Sequence, residues 1–369
     1  MIEFIVHIVP TALILGILIF VHELGHFLAC RFTGVGVEKF SIGFGPELIS
    51  WQGKETRYSL SLIPFGGFVK PSGETQEEIK ERGGRMKSGD FLAASIRNRF
   101  LILAAGVVMN FLFAYILFVS VMCIGRPMLS TTIGSFVSGY PAETSGLKPG
   151  DKVTHVNGKM VNNWQDMVLQ ILESKGNRLE FSVARNGASE KFTVIPQFEE
   201  GKDIFGQTKR VPRIGIQPSE EFVIEQYGLI ESIIKAAKFE WHLTVLTYEA
   251  LWRLATGQLS LKTISGPIGI VSMAGTAAKM GIVALLQFAA VLSVSLGVIN
   301  SLPIPALDGG HLFFLAIEAI RRKQLSLTVQ ERMTQIGFYF LMALMVLVVF
   351  NDLINIGAIA KLKSLFTPG

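Results

Sequence analysis

The stretch "FVHELGHFLA" (residues 20–29) places two histidines and a glutamate inside an apolar run that extends over residues 4–30. This run is long enough to cross the hydrocarbon core of a bilayer, which takes about 20 residues. Each ionisable residue in such a span costs at least about 2.5 kcal/mol on insertion scales, and such residues usually mark a functional site. The fold and the function therefore both depend on what encloses His22, Glu23 and His26.

The whole chain has the composition of a membrane protein. Half of its 369 residues are hydrophobic and only 17% are charged, a balance that is abnormal for a soluble protein. The apolar excess falls in four long runs, at residues 4–30, 100–125, 282–307 and 333–350. We predict four transmembrane helices. The first is interpreted as an uncleaved span rather than a signal peptide, because no Lys or Arg precedes Arg31.

The distribution of positive charge predicts the orientation of these spans. Lys and Arg are concentrated in residues 31–99, and "IRRKQ" (320–324) lies between the last two runs. The positive-inside bias places both loops in the cytoplasm, so both termini and residues 126–281 are expected outside. The net charge of +5 belongs with these loops, since the sequence has no nucleic-acid-binding motif. Two cysteines, Cys30 and Cys123, give neither a disulfide framework nor a cysteine metal site.

The outer segment contains a predicted β-rich domain over residues 126–200. Short alternating strands such as "DKVTHVNGKMV" (151–161) and a hairpin turn at Asn186-Gly187 indicate this, with one helix in "WQDMVLQILESK" (164–175). Residues 201–281 are expected to be a linker and an amphipathic helix. The helix is predicted within 222–256, and its scattered charges and aromatic residues favour the membrane interface over a fifth span.

His22, Glu23 and His26 follow the spacing of a zinc metalloprotease helix. Two histidines four residues apart share one helical face and can bind the same Zn²⁺, while the adjacent glutamate can act as a general base. A hydrogen-bonded His/Glu cluster without a metal is the alternative. A catalytic zinc site usually takes a third protein ligand and leaves one position for water.

Asp308 is the candidate third ligand. It lies in "NSLPIPALDGGH" (300–311), where Pro303 and Pro305 lack amide hydrogens and interrupt the helix. Irregular backbone at membrane depth is tolerated where it is buried in protein or lines a wet cavity. An ordinary carboxylate at the end of a span is the alternative, but the predicted topology places Asp308 at the depth of the two histidines and favours ligation.

Three features together resemble the site-2 protease family of intramembrane zinc metalloproteases. They are "HELGH" (22–26) in the first span, "NSLPIPALDGG" (300–310) in the third, and the intervening "SGYPAETSGLKPGDKVTHVNGKMVNNW" (138–164), which resembles a PDZ domain. The closest resemblance is to the bacterial regulator-of-sigma-E branch, which cleaves anti-sigma factors. Some of its members carry two PDZ domains, whereas residues 130–197 accommodate one.

The resemblance implies a fold and a set of site residues. The fold is a polytopic α-helical protein of the bacterial inner membrane, with membrane-core segments at 1–125 and 282–369, an extracytoplasmic PDZ-like domain at 126–200 and an active site near the cytoplasmic side. His22, His26 and Asp308 are the implied zinc ligands, Glu23 the catalytic base, and Asn300 a polar residue near the substrate backbone. The PDZ-like domain is expected to bind a peptide or to exclude bulky substrates, and a rigid spacer is the alternative.

The cytoplasmic loop is expected to form a membrane-associated β-hairpin over residues 38–71. Its segments "FSIGFGPELISW" (40–51) and "TRYSLSLIPFGGFVK" (56–70) are rich in β-forming residues and punctuated by glycine. In the family such a segment pairs with extended substrate, and an edge strand near Gly66 and Gly67 can supply the hydrogen bonds. An ordinary surface hairpin is equally compatible with these residues.

The predicted function is hydrolysis of peptide bonds in or near the transmembrane segments of single-pass membrane proteins, such as trimmed anti-sigma factors or signal-peptide remnants. The alternative is a PDZ-bearing membrane scaffold with a structural metal, which has little need of Glu23. A zinc transporter is less compatible, because the spans lack further polar residues and repeat symmetry. Asn110, a lone amide in the second span, is explained by an interhelical hydrogen bond. His7, His155, His242 and His311 are assigned no chemistry.

Overall fold

A computed structural model describes residues 2–202, 208–323 and 325–355. Its helices are α1 (Ile2–Thr33), α2 (Gln76–Glu81), α3 (Ile96–Ile124), α4 (Trp164–Glu173), α5 (Leu229–Ala255), α6 (Pro267–Met280), α7 (Ile282–Ser301), α8 (Asp308–Arg321) and α9 (Leu327–Asn355). Its strands are β1 (Val37–Gln52), β2 (Arg57–Pro71), β3 (Arg126–Leu129), β4 (Ile133–Phe136), β5 (Lys152–Val156), β6 (Lys159–Met160), β7 (Leu179–Arg185), β8 (Ala188–Val194), β9 (Gln197–Lys202), β10 (Thr208–Arg213), β11 (Ile216–Pro218) and β12 (Phe222–Glu225). The chain forms two compact units, one of residues Met1–Ser120 and Ile233–Gly369 and the other of Val121–Ser232.

The four predicted spans are confirmed as helices. Within the described residues, four helices are long and apolar enough to cross a membrane, at Val6–Thr33, Ile96–Ile124, Ile282–Ser301 and Thr328–Ile354. They belong to α1, α3, α7 and α9. The part of the predicted second membrane-core segment at 356–369 lies outside the described residues.

The third span ends earlier than predicted. Its apolar run continues to residue 307, but α7 ends at Ser301 and the chain turns through residues 302–307. Pro303 disfavours a helical backbone at Leu302, which has φ −67° and ψ 145°, and neither Pro303 nor Pro305 can donate a helical hydrogen bond. A new helix, α8, begins at Asp308. The sequence analysis did not separate α8 from the neighbouring loop.

The amphipathic helix α5 begins later in the chain than predicted. The helical prediction over 222–256 is wrong for its first residues, because Phe222–Glu225 forms β12 and pairs with β3. The helix itself covers Leu229–Ala255, and large apolar side chains such as Ile230, Trp241 and Trp252 are exposed on it. An exposed apolar face on a charged helix is typical of contact with a membrane interface.

The strands β1 and β2 form a strongly bent hairpin in place of a simple ladder. Ile42 lies opposite both Gly67 and Leu60, and Lys39 lies opposite both Lys70 and Arg57. The first half of β1 therefore lies between the two halves of β2. Within the described residues, the second half of β2 pairs with a neighbouring strand on one side only. Residues 66–71 therefore form an edge strand.

The second unit is β-rich, and the predicted strand pattern is found in it. Its main sheet has the antiparallel order β6-β5-β7-β8, with α4 packed on a core that includes Val153, Phe181 and Val183. The β7–β8 turn has positive φ at Asn186 and Gly187, as predicted. Strands β9 to β12 extend this unit to Ser232, past the expected boundary at residue 200, so 208–225 is not a linker.

The second unit contains a buried ion pair that fixes the loop before β5. The carboxylate of Asp151 accepts hydrogen bonds of 2.7 Å from both Nε and Nη2 of Arg185, and one of 2.8 Å from the backbone N of Lys148. Burial favours the protonated acid, but the hydrogen bonds from Arg185 outweigh it and hold the pKa of Asp151 below its ordinary value. The pair therefore stabilises the unit at neutral pH, and this contribution is lost as the pH falls through the lowered pKa.

We predict that Asp151→Ala destabilises the second unit by about 1 to 3 kcal/mol, because the backbone N–H of Lys148 and the Nε and Nη2 groups of Arg185 lose this acceptor, although Arg185 keeps its ion pair with Glu190. Hydrogen exchange of residues 152–194 in the full-length protein measures this change. Lys191→Ala is the matched control. It removes an exposed pair with Glu180 and should cost less than about 1 kcal/mol. Equal exchange in the two variants would contradict the prediction.

Candidate metal centre

Three side chains from distant parts of the chain converge inside the first unit, which contains almost all of the four candidate spans. His22 and His26 lie one turn apart on α1, and Asp308 is the first residue of α8. The Oδ2 atom of Asp308 is 3.1 Å from Nε2 of His22 and 3.4 Å from Nε2 of His26. The two Nε2 atoms are 3.2 Å apart. Among the described residues, these three form a cluster that could hold a metal ion.

The helix α3 packs directly against both imidazoles. The backbone carbonyl of Ile102 lies 2.8 Å from Nδ1 of His26, and the side-chain amide of Asn110 lies 3.1 Å from Nδ1 of His22. On α3, Gly106 lies between Ile102 and Asn110, about one helical turn from each. A Cβ atom at Gly106 would overlap Nε2 of His26 and come within 2.7 Å of Cε1 of His22. The absence of a side chain at position 106 therefore lets α3 approach the histidines.

Asp308 owes its position to the break after α7. The chain leaves α7 at Ser301, turns through the two prolines and starts α8 with Asp308 facing the histidines. Side chains of both histidines and the aspartate are 12–19% exposed, so the cluster is largely enclosed. Oδ2 of Asp308 is buried, and the two Nε2 atoms lie within 3.4 Å of it. A buried carboxylate oxygen beside two imidazole nitrogens suits a cation.

Glu23 lies beside the cluster and against the edge strand. It follows His22 on α1, and a Cβ atom at Gly67 would come within 3.3 Å of Cγ of Glu23 and within 2.8 Å of the carbonyl oxygen of Ser41. Because Gly67 has no side chain, the β2 backbone can approach the glutamate closely. The carboxylate of Glu23 and the strand at 66–71 therefore border the same space.

Two cavities meet at the cluster. The smaller, of about 290 Å³, is lined by His22, Glu23 and Asp308 together with all three residues predicted to contact substrate, which are Gly66, Gly67 and Asn300. The larger, of about 550 Å³, is lined by the same cluster with His26 and by polar residues of α9 such as Gln330, Glu331 and Thr334. Every predicted site residue therefore lines one or both of these cavities, which share His22, Glu23 and Asp308.

The remaining histidines do not join the cluster. His311 lies on α8 and lines the larger cavity, with its ring centroid 6.1 Å from that of Phe314. Within the described residues, His7, His155 and His242 are not part of a metal-binding group. The contacts that α3 makes with both imidazoles are not among the predicted site features. A glycine and an asparagine four residues apart in an apolar span were the available signal, since a helix places both on one face.

The chain belongs to peptidase family M50. The model of this family matches residues 10–344, which is most of the chain. This match confirms the predicted site-2 protease family.

Similar proteins in several bacteria have names of the same kind. A protein of Rhizobium meliloti that is provisionally named a zinc metalloprotease is 34% identical over 358 residues, covering 94% of this chain and 96% of its own. One of Clostridium acetobutylicum with the same provisional name is 34% identical, covering 94% of this chain and 97% of its own. Zinc metalloprotease RasP of Geobacillus kaustophilus is 31% identical, covering 96% and 99%.

We predict that Gly106→Ala sharply reduces the metal content of the purified protein, because the added methyl group displaces the two imidazoles. Metal per chain is measured by inductively coupled plasma mass spectrometry, and helix content by circular dichroism. Gly16→Ala in α1 is the control, since a Cβ there meets nothing within 4 Å. Full metal content in Gly106→Ala would show that α3 does not restrict the site.

Proposed function

We propose that this protein is a zinc metalloprotease that hydrolyses peptide bonds within or next to the transmembrane segments of single-pass membrane proteins. The observation that carries the proposal is the convergence of His22, His26 and Asp308 beside Glu23, on helices at or next to predicted spans. The family membership and the names of the relatives agree with this chemistry.

His22, His26 and Asp308 are the proposed zinc ligands. Tetrahedral zinc with bonds of about 2.0–2.1 Å separates its ligand atoms by about 3.3 Å. The three separations in the cluster, 3.1, 3.2 and 3.4 Å, are close to that value. Three protein ligands also leave one position for water, as in catalytic rather than structural zinc sites.

Glu23 is the proposed general base. Zinc, when bound, lowers the pKa of a water molecule towards about 7 and polarises the scissile carbonyl. The carboxylate of Glu23 accepts a proton from the attacking water and then donates it to the departing amide nitrogen. Its place on α1, one residue from a ligand, keeps it beside the ligand set through both proton transfers.

The substrate is proposed to lie in extended form along residues 66–71. A transmembrane helix must unwind before a peptide bond becomes accessible, and its freed backbone groups then need partners in apolar surroundings. The edge of β2 at residues 66–71 offers such partners by strand addition. Gly66, Gly67 and Asn300 line the cavity of about 290 Å³ that also contains Glu23, so a strand bound there passes the proposed base.

The second unit is proposed to be a single PDZ-like domain on the outer side of a bacterial inner membrane. In support, "SGLKPGD" (145–151) leads into β5, and an Asn157-Gly158 turn with positive φ joins β5 to β6. The positive charges of 31–99 and of 320–324 support a cytoplasmic position for the hairpin and for the loop between α8 and α9, with both termini and the second unit outside. A non-proteolytic scaffold with a structural metal remains the alternative function, and Glu23 discriminates between the two.

We predict that Glu23→Gln retains zinc and loses proteolysis by a factor of about 10² to 10⁴, the range expected for a positioned general base. The assay uses a fluorescently labelled single-span peptide with a glycine-containing segment, in detergent, with zinc content measured in parallel. Glu55→Gln, an exposed carboxylate paired with Arg31, is the control and should remain active. Unchanged cleavage by Glu23→Gln would rule out the assigned base.

We also predict that His22→Ala and Asp308→Ala each lose zinc, because two protein ligands bind it much more weakly than three. Metal analysis of the purified variants is the measurement. Asp166→Asn is the control, since this residue lies in the second unit, apart from the cluster. Stoichiometric zinc in Asp308→Ala would remove the carboxylate from the ligand set.

A further inference from the structure

We propose that Asn110 is a positioning residue of the zinc site, and the proposal rests on the function proposed above. Its side-chain oxygen accepts a hydrogen bond from Nδ1–H of His22. This bond holds the imidazole in the tautomer whose Nε2 carries a lone pair towards the metal. The sequence analysis treated Asn110 as an amide that needed only an interhelical partner.

The contact of Asn110 with His22 is buried and joins two spans. The side chain of Asn110 has no solvent exposure, and its amide lies 3.1 Å from Nδ1 of His22, on a different helix. The backbone carbonyl of Asn110 accepts a 2.7 Å hydrogen bond from Oγ of Ser293 on α7. The interhelical bonding predicted for Asn110 is therefore present, and one of its partners is a proposed metal ligand.

A count of donors and acceptors decides the orientation of this amide. With Nδ2 next to His22, the amide donates to Nδ1, so a neutral imidazole must carry its proton on Nε2. That proton would point at Oδ2 of Asp308 and block coordination. The same orientation leaves the Oδ1 atom of Asn110 buried without a partner. An imidazole whose Nε2 carries the proton cannot bind zinc through that atom, so the tautomer decides between the two orientations.

Rotation of the amide by 180° exchanges its oxygen and nitrogen with almost no change in shape. Oδ1 then accepts from Nδ1–H of His22, and Nε2 is free to bind zinc. The amide nitrogen takes the unpartnered position. Asn110 also lines the cavity of about 290 Å³, together with His22 and Asp308.

His26 shows the same arrangement without any ambiguity. Its Nδ1 lies 2.8 Å from the carbonyl oxygen of Ile102, which can only accept, so Nδ1 carries the proton and Nε2 is free. Ile102, Gly106 and Asn110 are spaced by four residues and lie on one face of α3. One helix therefore fixes both imidazoles through two acceptors, and position 110 must provide its acceptor from a side chain.

The test measures zinc affinity in full-length protein by competition with a chelator in detergent. Asn110→Leu removes the acceptor and should weaken zinc binding about 10- to 100-fold, the usual effect of losing a ligand's hydrogen-bond partner. Asn110→Asp keeps an acceptor oxygen at the same reach and should bind zinc at least as tightly as wild type. Ser293→Ala, which removes a hydroxyl that bonds the Asn110 backbone, is the packing control and should remain near wild type.

Rescue by aspartate separates positioning from packing, because a purely structural asparagine would tolerate leucine better than a buried charge. Asn110→Ser, whose hydroxyl is too short to reach His22, should resemble Asn110→Leu and covers the case in which leucine prevents folding. Wild-type affinity in both Asn110→Leu and Asn110→Ser, or equal weakening in Asn110→Asp, would overturn the inference. His22→Ala, measured in the same assay, identifies the cause if the Asn110 variants contradict the inference. Full zinc affinity in His22→Ala would show that the proposed ligand set is wrong. Loss of zinc in His22→Ala would show that only the role of Asn110 is wrong.

Discussion

The structure depends on one constraint, which is that ionisable side chains at membrane depth must be enclosed by protein and partnered. Two histidines, a glutamate and an aspartate in apolar segments are costly unless other groups surround them. The chain meets this demand by bringing α1, α3 and the start of α8 together, with Asp308 within 3.4 Å of both imidazoles. The break at Pro303 and Pro305, the glycine at position 106 and the close approach of β2 are all arrangements that make this convergence possible.

The proposed site combines side chains that would bind a metal with groups that would orient those side chains. His22, His26 and Asp308 are the proposed ligands, and Ile102 and Asn110 of α3 contact the two imidazoles. The bent hairpin adds an edge strand next to Glu23, so the proposed base, the proposed ligands and a backbone surface for an extended chain line two cavities that share His22, Glu23 and Asp308. This combination fits peptide hydrolysis better than passive metal storage, because storage requires neither a base nor a strand edge.

Much of this arrangement could be predicted from the sequence. The four spans follow from the length and apolarity of their runs, and the histidine pair follows from helical spacing. The β7–β8 hairpin follows from Asn186-Gly187, since few residue pairs accept positive φ at both positions. The end of α7 was placed too late because apolarity continues past Ser301 although the prolines stop the helix. The spacing of Gly106 and Asn110 marks one face of α3, but the sequence does not show which helix this face meets, because His22 is 88 residues from Asn110 in the chain.

The order of the ligands along the chain has a consequence for biosynthesis. The histidines are on the first helix, whereas the aspartate follows the third span and the whole β-rich unit lies between them. A ribosome-bound chain that has inserted only α1 and α3 holds the imidazoles without their carboxylate. Proteolytic competence at the proposed site can therefore arise only after Asp308, at position 308 of 369, has been translated and inserted, and the newly made amino-terminal half cannot attack neighbouring membrane proteins.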